Sequence, residues 1–329
     1  DIQEIEGLSI PSNLEGRDRP VLIRYPADAS GPLPVIIWAH AGSWSSTGHK
    51  SHKRWSTLLA RAGYAVVHFA VVQPNEEHLG ALCDRFGVTD PSACDDRSIT
   101  GPPPEDPDNF INPFHSITVV RPADGAIITK ALPMLSARLE EKSGTSLDVS
   151  KTIVAGWSGG AQVSLQMAGA TRILAEGIPP HSDPDDSPIA FVGLSPQGPG
   201  FSNFFANDGG PTSWDAITRP TMIMTGVGDE KPNNDLTGPD RRAVFTHMPP
   251  GDKVLFYSTD PADSITHSSF NLDGFDSDNP AAKRLSTALA SAMLAFCDAH
   301  ARDHQPAKDW LASDAAVSLT EGNLDWESK

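Results

Sequence analysis

The sequence predicts an α/β protein built on a doubly wound, mostly parallel sheet. Short apolar segments of strand length alternate with segments of helical period along most of the 329 residues, and this alternation is typical of parallel βαβ units. The chain has no internal repeat of fixed length. Because α/β folds of this size often form one unit, we predict a single domain over residues 1–329.

Three strands and a helix are predicted in the amino-terminal part of the chain. The segments 21–25 and 35–39 have the length and the branched apolar composition of buried strands. A helix is predicted over about 51–62, where large apolar residues fall on one face, and Gly63 ends it. The apolar segment 65–72 is the next predicted strand.

Residues 74–115 interrupt the alternation. This segment contains seven prolines, many acidic residues and few branched apolar residues. Long segments of this kind are often functional loops, so we predict a lid-like insertion over the carboxyl ends of the strands. A helix is predicted to follow over about 122–142, with Pro122 in its first turn.

The second half of the chain resumes the alternation. Strands are predicted at 152–155, 189–194, 221–225 and 253–257. The last long helix is predicted to begin at Asn279-Pro280, a capping residue followed by a proline suited to the first turn. Since open parallel sheets bind ligands at the carboxyl ends of their strands, the loops that follow these strands are the candidate functional region.

The charge balance excludes two classes of partner. The chain has 42 Asp and Glu against 25 Lys and Arg, a formal net charge of −17. A surface this acidic repels nucleic acid and anionic membranes, and no apolar segment has the length of a transmembrane helix. We therefore expect neither nucleic acid nor a membrane span, and the sequence leaves the oligomeric state open.

The three cysteines predict one disulfide and one free thiol. Cys83 and Cys94 bracket a short polar loop, which a disulfide between them would close and stabilise; two unpaired thiols are the alternative. Cys297 lies on the last helix and is expected to be free and buried. The spacing fits no metal site. The disulfide and the start at Asp1 rather than Met together predict a secreted or periplasmic protein.

The most specific motif is Gly156-Trp157-Ser158-Gly159-Gly160, between a predicted strand and a predicted helix. Gly-x-Ser-x-Gly in that context is typical of a nucleophile elbow, where a sharp turn holds the serine hydroxyl out above the sheet. The outer glycines leave room for a close approach of strand and helix. The motif predicts Ser158 as a nucleophile; the alternative is a glycine-rich turn whose serine caps the helix.

A serine nucleophile needs a base, and the base needs an orienting acid. In hydrolase elbows the order along the chain is Ser, acid, His. Asp229 comes one short turn after a predicted strand and is the predicted acid, with Glu230 and Asp235 as rivals and a surface-turn role as the alternative. His267 is the only histidine between the last of the predicted strands and the last helix, so we predict it as the base rather than a loop histidine without a role.

Two backbone amides are predicted to form an oxyanion hole. One is the amide of Gly159, directly after the nucleophile, and the other comes from the loop after the strand 35–39. The amide of Gly42 is our first choice and that of Ser43 the second. We expect His40 to support this loop by hydrogen bonding rather than to take part in chemistry.

Several side chains flank these loops and are predicted to contact substrate. They are Ser43, Trp44, Trp157, Phe201 and Trp214. The aromatic ones are suited to an apolar acyl or aryl group, although aromatic residues beside glycine-rich loops also serve as core packing.

Four segments resemble the α/β-hydrolase superfamily, and within it the bacterial dienelactone hydrolases and platelet-activating-factor acetylhydrolases. The segments are 34–42, the elbow at 156–160, Leu194-Ser195-Pro196-Gln197-Gly198-Pro199-Gly200, and 225–230 leading to His267. They span roughly residues 20 to 298. The resemblance implies the α/β-hydrolase fold and a triad of Ser158, Asp229 and His267. Polyester hydrolases share the Gly-Trp-Ser of the elbow.

The sequence therefore predicts a serine esterase that cleaves a small carboxylic ester through an acyl-enzyme, with no cofactor and no metal. A lactone, dienelactone or polyester hydrolase would use the same triad. An alternative of a different class is a non-catalytic α/β-hydrolase that binds a ligand or partner. The presence of all three triad members, in the expected order, favours the enzyme.

Overall fold

A computed structural model of the protein describes residues 1–10, 18–42, 45–71, 113–173, 180–199, 212–230, 236–259 and 266–329, with only the helical backbone over 113–124. The strands are β1 (Ile2–Ile10), β2 (Arg19–Pro26), β3 (Leu33–Ala39), β4 (Ala65–Phe69), β5 (Leu147–Trp157), β6 (Ala190–Leu194), β7 (Thr221–Gly226), β8 (Lys253–Ser258) and β9 (Leu324–Ser328). The α-helices within these ranges are α1 (Lys53–Arg61), α2 (Pro113–Ser143), α3 (Gly159–Ala168), α4 (Gly238–His247), α5 (Pro280–Ala301), α6 (Gln305–Leu311) and α7 (Ala315–Leu319).

The strands form one sheet in the order β1-β2-β4-β3-β5-β6-β7-β8-β9. All neighbouring pairs from β4 to β8 are parallel. Antiparallel pairs occur only towards the two edges, where β2 pairs with β1 and β4 and where β9 pairs with β8. The predicted mostly parallel sheet is therefore confirmed.

Helices cover both faces of the sheet. On one face, Leu132 of α2, Val163 of α3 and Val244 of α4 are buried against the strands. On the other face, Trp55 of α1 and Leu289 of α5 are fully buried. Side chains of successive strand residues point to opposite faces, so each central strand contributes to both apolar layers. This arrangement is compatible with the predicted doubly wound fold.

The side on which successive strands are added to the sheet changes at β3: β4 is added on one side of it and β5 on the other. This strand lies between β4 and β5, although β4 follows it directly in the sequence. Ala39, the last residue of β3, is paired with Gly156 near the end of β5. Such a reversal opens a crevice at the carboxyl ends of the two strands, where open α/β sheets bind ligands. The loops after β3 and β5 therefore share a candidate site.

The long helix before β5 begins earlier than its sequence suggests. We predicted a start at Pro122, but α2 begins at Pro113 and continues to Ser143 as one helix. Pro113 occupies the first helical turn, where its missing N–H breaks no intrahelical hydrogen bond. The last residues of the predicted insertion 74–115 thus belong to α2. The remainder of that insertion lies outside the described residues.

Candidate active site

Ser158 occupies a strained turn between β5 and α3. Its backbone has φ 54° and ψ −115°, a conformation that costs a residue with a side chain on the order of 1–3 kcal/mol. Two hydrogen bonds hold the turn: the Ser158 N–H donates to the Leu194 carbonyl at 2.9 Å, and the Gln162 N–H donates to the Ser158 carbonyl at 3.2 Å. Strand, sharp turn and helix are the context that the elbow motif requires.

The glycines around Ser158 allow an unusually close approach of backbone segments. A Cβ at Gly156 would lie 2.2 Å from the carbonyl oxygen of Gly160. A Cβ at Gly160 would lie 2.0 Å from the carbonyl oxygen of Ala39. Any side chain at either position would force β5, α3 or β3 apart. The prediction that these two glycines serve close packing is confirmed.

The two predicted oxyanion donors lie on either side of this contact. Gly159 is the first residue of α3, and first-turn amides of a helix have no intrahelical acceptor. Gly42, with φ 76°, follows Ala39, whose carbonyl touches the start of α3. The positive end of the α3 dipole lies at Gly159, so it favours a developing negative charge beside that amide.

His40 supports the loop after β3. Its Nδ1 lies 2.7 Å from the carbonyl oxygen of Ala41, and the N–H of Val71 donates to its Nε2 at 3.2 Å. Because Nε2 accepts a hydrogen bond, the proton is on Nδ1. The ring also packs on Gly48, where a Cβ would lie 2.3 Å from it. The supporting role expected for His40 is confirmed.

Asp229 is fully buried just beyond the end of β7. Its Oδ1 accepts a hydrogen bond from Ser195 Oγ, and its Oδ2 accepts one from Thr225 Oγ1, each at 2.9 Å. The Nε of Arg241 lies 3.2 Å from Oδ1 and donates to the backbone carbonyl of Asp229 at 2.8 Å. Burial lowers the pKa of Arg241, and the negative charge of Asp229 acts in the opposite direction. Asp229 is thus a firmly held carboxylate.

His267 is the first residue of a short 3-10 helix after β8, and a capping box at Thr266 fixes the start of that helix. Its Nδ1 lies 2.8 Å from Ser195 Oγ and 3.5 Å from Oδ1 of Asp229. The longer distance exceeds that of an ordinary hydrogen bond. The link between the predicted base and the predicted acid therefore passes through Ser195.

Ser158 and His267 are brought to the same edge of the sheet. The ring of Trp157, the residue before Ser158, lies 5.2 Å from the His267 ring. In the described part of the chain, the side-chain hydrogen bond of His267 goes to Ser195 rather than to Ser158. Bonds between a nucleophile and its base often tighten only when substrate is bound, so this arrangement is compatible with a catalytic role.

Aromatic rings pack in the core beside His267. Trp157, a predicted substrate-binding residue, contacts His52 edge-on at 4.9 Å between ring centres, and His52 in turn lies 5.9 Å from the ring of Trp38. Burial lowers the pKa of His52 to about 4. Trp157 and Trp38 are therefore buried in the apolar core, beside a His52 ring that is uncharged near neutral pH.

Trp214 packs in a different part of the core. Its ring is fully buried and stacks on His247 at 5.6 Å, at the end of α4. The adjacent carbonyl of Ser213 accepts a hydrogen bond from Thr171, just beyond the carboxyl end of α3. The length of α3 separates this point from Ser158 by about 15 Å. The expectation that Trp214 contacts substrate is corrected: it is a core residue.

Burial distinguishes Asp229 from Glu230, one of the two rival candidates for the catalytic acid. Glu230 is exposed, whereas Asp229 is buried beside His267. Asp235 lies outside the described residues, as do three of the predicted substrate contacts: Ser43, Trp44 and Phe201.

The cysteine predictions are tested only in part. Cys83 and Cys94, the expected disulfide partners, lie outside the described residues. Cys297 is a free, fully buried thiol on α5, as predicted.

Three residues that hold the acid and the base were not found by sequence reasoning: Ser195, Thr225 and Arg241. Thr225 and Ser195 stand where apolar strands end, and a hydroxyl at such a position is a usable signal. Arg241 has no comparable signal, since only the packing of α4 brings it to the site. Its Nη1 donates to the carbonyls of Ser195 and Pro196 at 2.9 and 2.7 Å.

In the ranges that the structure describes, no group of three or more His, Cys, Asp or Glu side chains is placed to hold a metal ion. No helix of those ranges is both long and apolar enough to cross a membrane. Comparison with protein-family models gives no match to this chain, and comparison with the curated proteins gives none either. The chemistry of the site itself therefore carries the functional conclusion.

Proposed function

We propose that the protein is a serine hydrolase of the α/β-hydrolase type that cleaves carboxylic esters through an acyl-enzyme. Ser158 is the nucleophile, His267 the base and Asp229 the orienting acid. One observation carries the proposal: a serine at φ 54° shares a sheet edge with a histidine that is linked by hydrogen bonds to a fully buried carboxylate.

The backbone of Ser158 argues against a merely structural serine. Capping residues usually have an extended backbone and a side-chain oxygen that accepts a hydrogen bond from the first turn. Ser158 has neither: its φ is positive, and its side chain makes no capping hydrogen bond to α3. Strain of this kind persists where a site requires a particular orientation. The strain supports a hydroxyl presented for attack.

The proposed reaction follows from the positions of the named groups. Ser158 Oγ attacks the ester carbonyl while His267 takes its proton. The amides of Gly159 and Gly42 stabilise the negative oxygen of the tetrahedral intermediate. His267 then gives its proton to the departing alcohol, and a water molecule, deprotonated by His267, hydrolyses the acyl-enzyme. Asp229 stabilises the positively charged imidazole in both halves of the reaction.

Hydrolysis of short chromogenic esters tests this proposal. Ser158→Ala should reduce kcat by a factor on the order of 10⁴ or more, because it removes the covalent route without opening a cavity. Asp229→Asn should cost on the order of thousands-fold in kcat. Ser268→Ala is the matched control, since Ser268 is exposed beside His267 and, among the described residues, its hydroxyl is hydrogen-bonded to Thr266 Oγ1, at 3.0 Å.

Ser268→Ala should therefore keep the wild-type rate. A folded Ser158→Ala protein with wild-type turnover would contradict the assignment of the nucleophile. A wild-type protein that hydrolyses no ester across a panel of acyl lengths, aryl esters, lactones and polyester would favour a non-catalytic binding protein instead.

A further inference from the structure

We propose that Ser195 is a positioning residue of this site, whose hydroxyl stands between Asp229 and His267 and fixes which nitrogen of the imidazole carries the proton. The inference deepens the proposed serine hydrolase function and rests on it for its catalytic meaning. The hydrogen-bond relay itself, from His267 through Ser195 to Asp229, does not depend on the reaction.

The distances show that the hydroxyl is an intermediate link. Ser195 Oγ donates to Asp229 Oδ1 at 2.9 Å and lies 2.8 Å from His267 Nδ1. The direct separation between Nδ1 and Oδ1 is 3.5 Å. Both short contacts have ordinary hydrogen-bond lengths, whereas the direct one does not. The carboxylate therefore acts on the imidazole chiefly through the serine.

Counting hydrogens fixes the direction of the relay. The hydroxyl of Ser195 has one proton, and an ionised carboxylate can only accept. Since the proton of Ser195 goes to Asp229, the hydroxyl oxygen must accept from His267 Nδ1–H. A neutral imidazole with its proton on Nδ1 has a free lone pair on Nε2. That nitrogen is then the one available to take the proton of Ser158.

The backbone of Ser195 is built to hold its hydroxyl in place. Its N–H donates to the Met224 carbonyl at 2.8 Å, and its carbonyl accepts from Arg241 Nη1 at 2.9 Å. Its φ is 51°, where glycine would be unstrained. What serine adds over glycine at this fully buried position is the hydroxyl, so the strain is accounted for by the contact that the hydroxyl makes.

Thr225 provides an internal comparison. Its hydroxyl donates to the same carboxylate at the same length, 2.9 Å, but to Oδ2. In the described part of the chain, the hydroxyl of Ser195 reaches both the carboxylate and the imidazole, whereas that of Thr225 reaches the carboxylate. Removing either hydroxyl takes one donor from Asp229. Only the loss of Ser195 breaks the path to His267.

The test compares Ser195→Ala, Ser195→Gly and the control Thr225→Val. The first measurement is the side-chain nitrogen NMR spectrum of histidine-labelled protein, with the His267 signals identified by their loss in His267→Gln. The second is kcat and KM for a short chromogenic ester. Ser195→Gly accommodates the positive φ, so a soluble variant without the hydroxyl is available even where Ser195→Ala folds poorly.

We expect wild type and Thr225→Val to show His267 protonated on Nδ1, and both Ser195 variants to show a mixture of the two neutral forms. We also expect kcat to fall roughly 10- to 100-fold in the Ser195 variants, with little change in KM. An unchanged His267 spectrum in folded Ser195→Gly would overturn the inference, as would the same mixture of neutral forms in Thr225→Val. A wild-type protein without ester turnover, but with a His267 spectrum that depends on Ser195, would contradict the proposed function and leave the relay standing.

Discussion

The guanidinium of Arg241 lies 3.2 Å from the carboxylate of Asp229, and both side chains are almost completely removed from solvent. The same guanidinium donates to the backbone carbonyls of Asp229, Ser195 and Pro196. It therefore ties together the loops after β6 and β7. When one member of a buried pair is removed, an uncompensated charge remains buried, which costs far more than a surface pair is worth.

Arg241→Met should therefore destabilise the protein by about 3–5 kcal/mol of unfolding free energy. Arg242→Met is the matched control, because the neighbouring Arg242 forms half-exposed ion pairs with Asp325 and Glu327, and such pairs contribute about 1 kcal/mol or less. Urea unfolding of both variants measures the difference. Equal losses in the two variants would contradict the anchoring role of Arg241.

A second prediction concerns the contact between β3 and α3. Gly160→Ala should destabilise the protein, although alanine favours a helix by about 1 kcal/mol over glycine, because the added Cβ would lie 2.0 Å from the backbone carbonyl of Ala39. Gly125→Ala is the comparison: its Cβ would meet the flexible side chain of Met167 at 2.4 Å. Thermal unfolding should rank Gly160→Ala as the more damaging change. The reverse order would show that the backbone contact can relax.

The central strands could be predicted because each is a continuous apolar segment buried on both faces. The edge strands β1 and β9 carry charged residues and are only partly buried, so their sequences resemble surface loops. The helix α4 was missed although Thr237 and Asp240 form a capping box at its start. The early start of α2 at Pro113 was missed because its first turns follow a proline-rich segment.

Some residues of the candidate site could likewise be predicted from the sequence, and others could not. Ser158 is marked by a local motif, and Asp229 and His267 by their order after predicted strands. Ser195 and Arg241 come from other parts of the chain, and their roles depend on how β6, β7 and α4 pack together. The hydroxyl of Ser195 at the end of an apolar strand is a usable signal, whereas nothing in the sequence around Arg241 indicates its contacts.

Acid sensitivity follows from the fully buried His68 and the partly buried His52. Burial lowers the pKa of His52 to about 4 and that of His68 well below its ordinary value. Both are protonated in the unfolded chain below about pH 6.5, so the unfolded state binds more protons than the folded state. Stability should therefore fall as the pH drops from about 6.5 towards 4.

His52→Phe should flatten this dependence, since it keeps a ring between Trp38 and Trp157 and removes the titrating group. Between pH 7 and pH 5 the contribution of His52 is about 2 kcal/mol. His304→Phe is the control, because His304 is exposed. Urea unfolding at the two pH values gives the slope. An unchanged slope in His52→Phe would show that the ring is protonated in the folded protein.

The predicted disulfide has a direct chemical test. Closing the loop between Cys83 and Cys94 would stabilise the folded chain by roughly 3 kcal/mol on the chain-entropy model. Thiol titration of the denatured, unreduced protein should find one free cysteine, Cys297, which is buried on α5. Three reactive thiols would contradict the disulfide and weaken the expectation of an exported protein.

The central claim is that Ser158 is a covalent nucleophile activated at the elbow between β5 and α3. Mass spectrometry of protein treated with an alkyl fluorophosphonate, followed by peptide mapping, tests it most directly, because such reagents phosphonylate activated serines. We expect a single adduct on Ser158, its loss in Ser158→Ala and its retention in Ser268→Ala. An adduct on another residue, or none in folded wild-type protein, would contradict the claim.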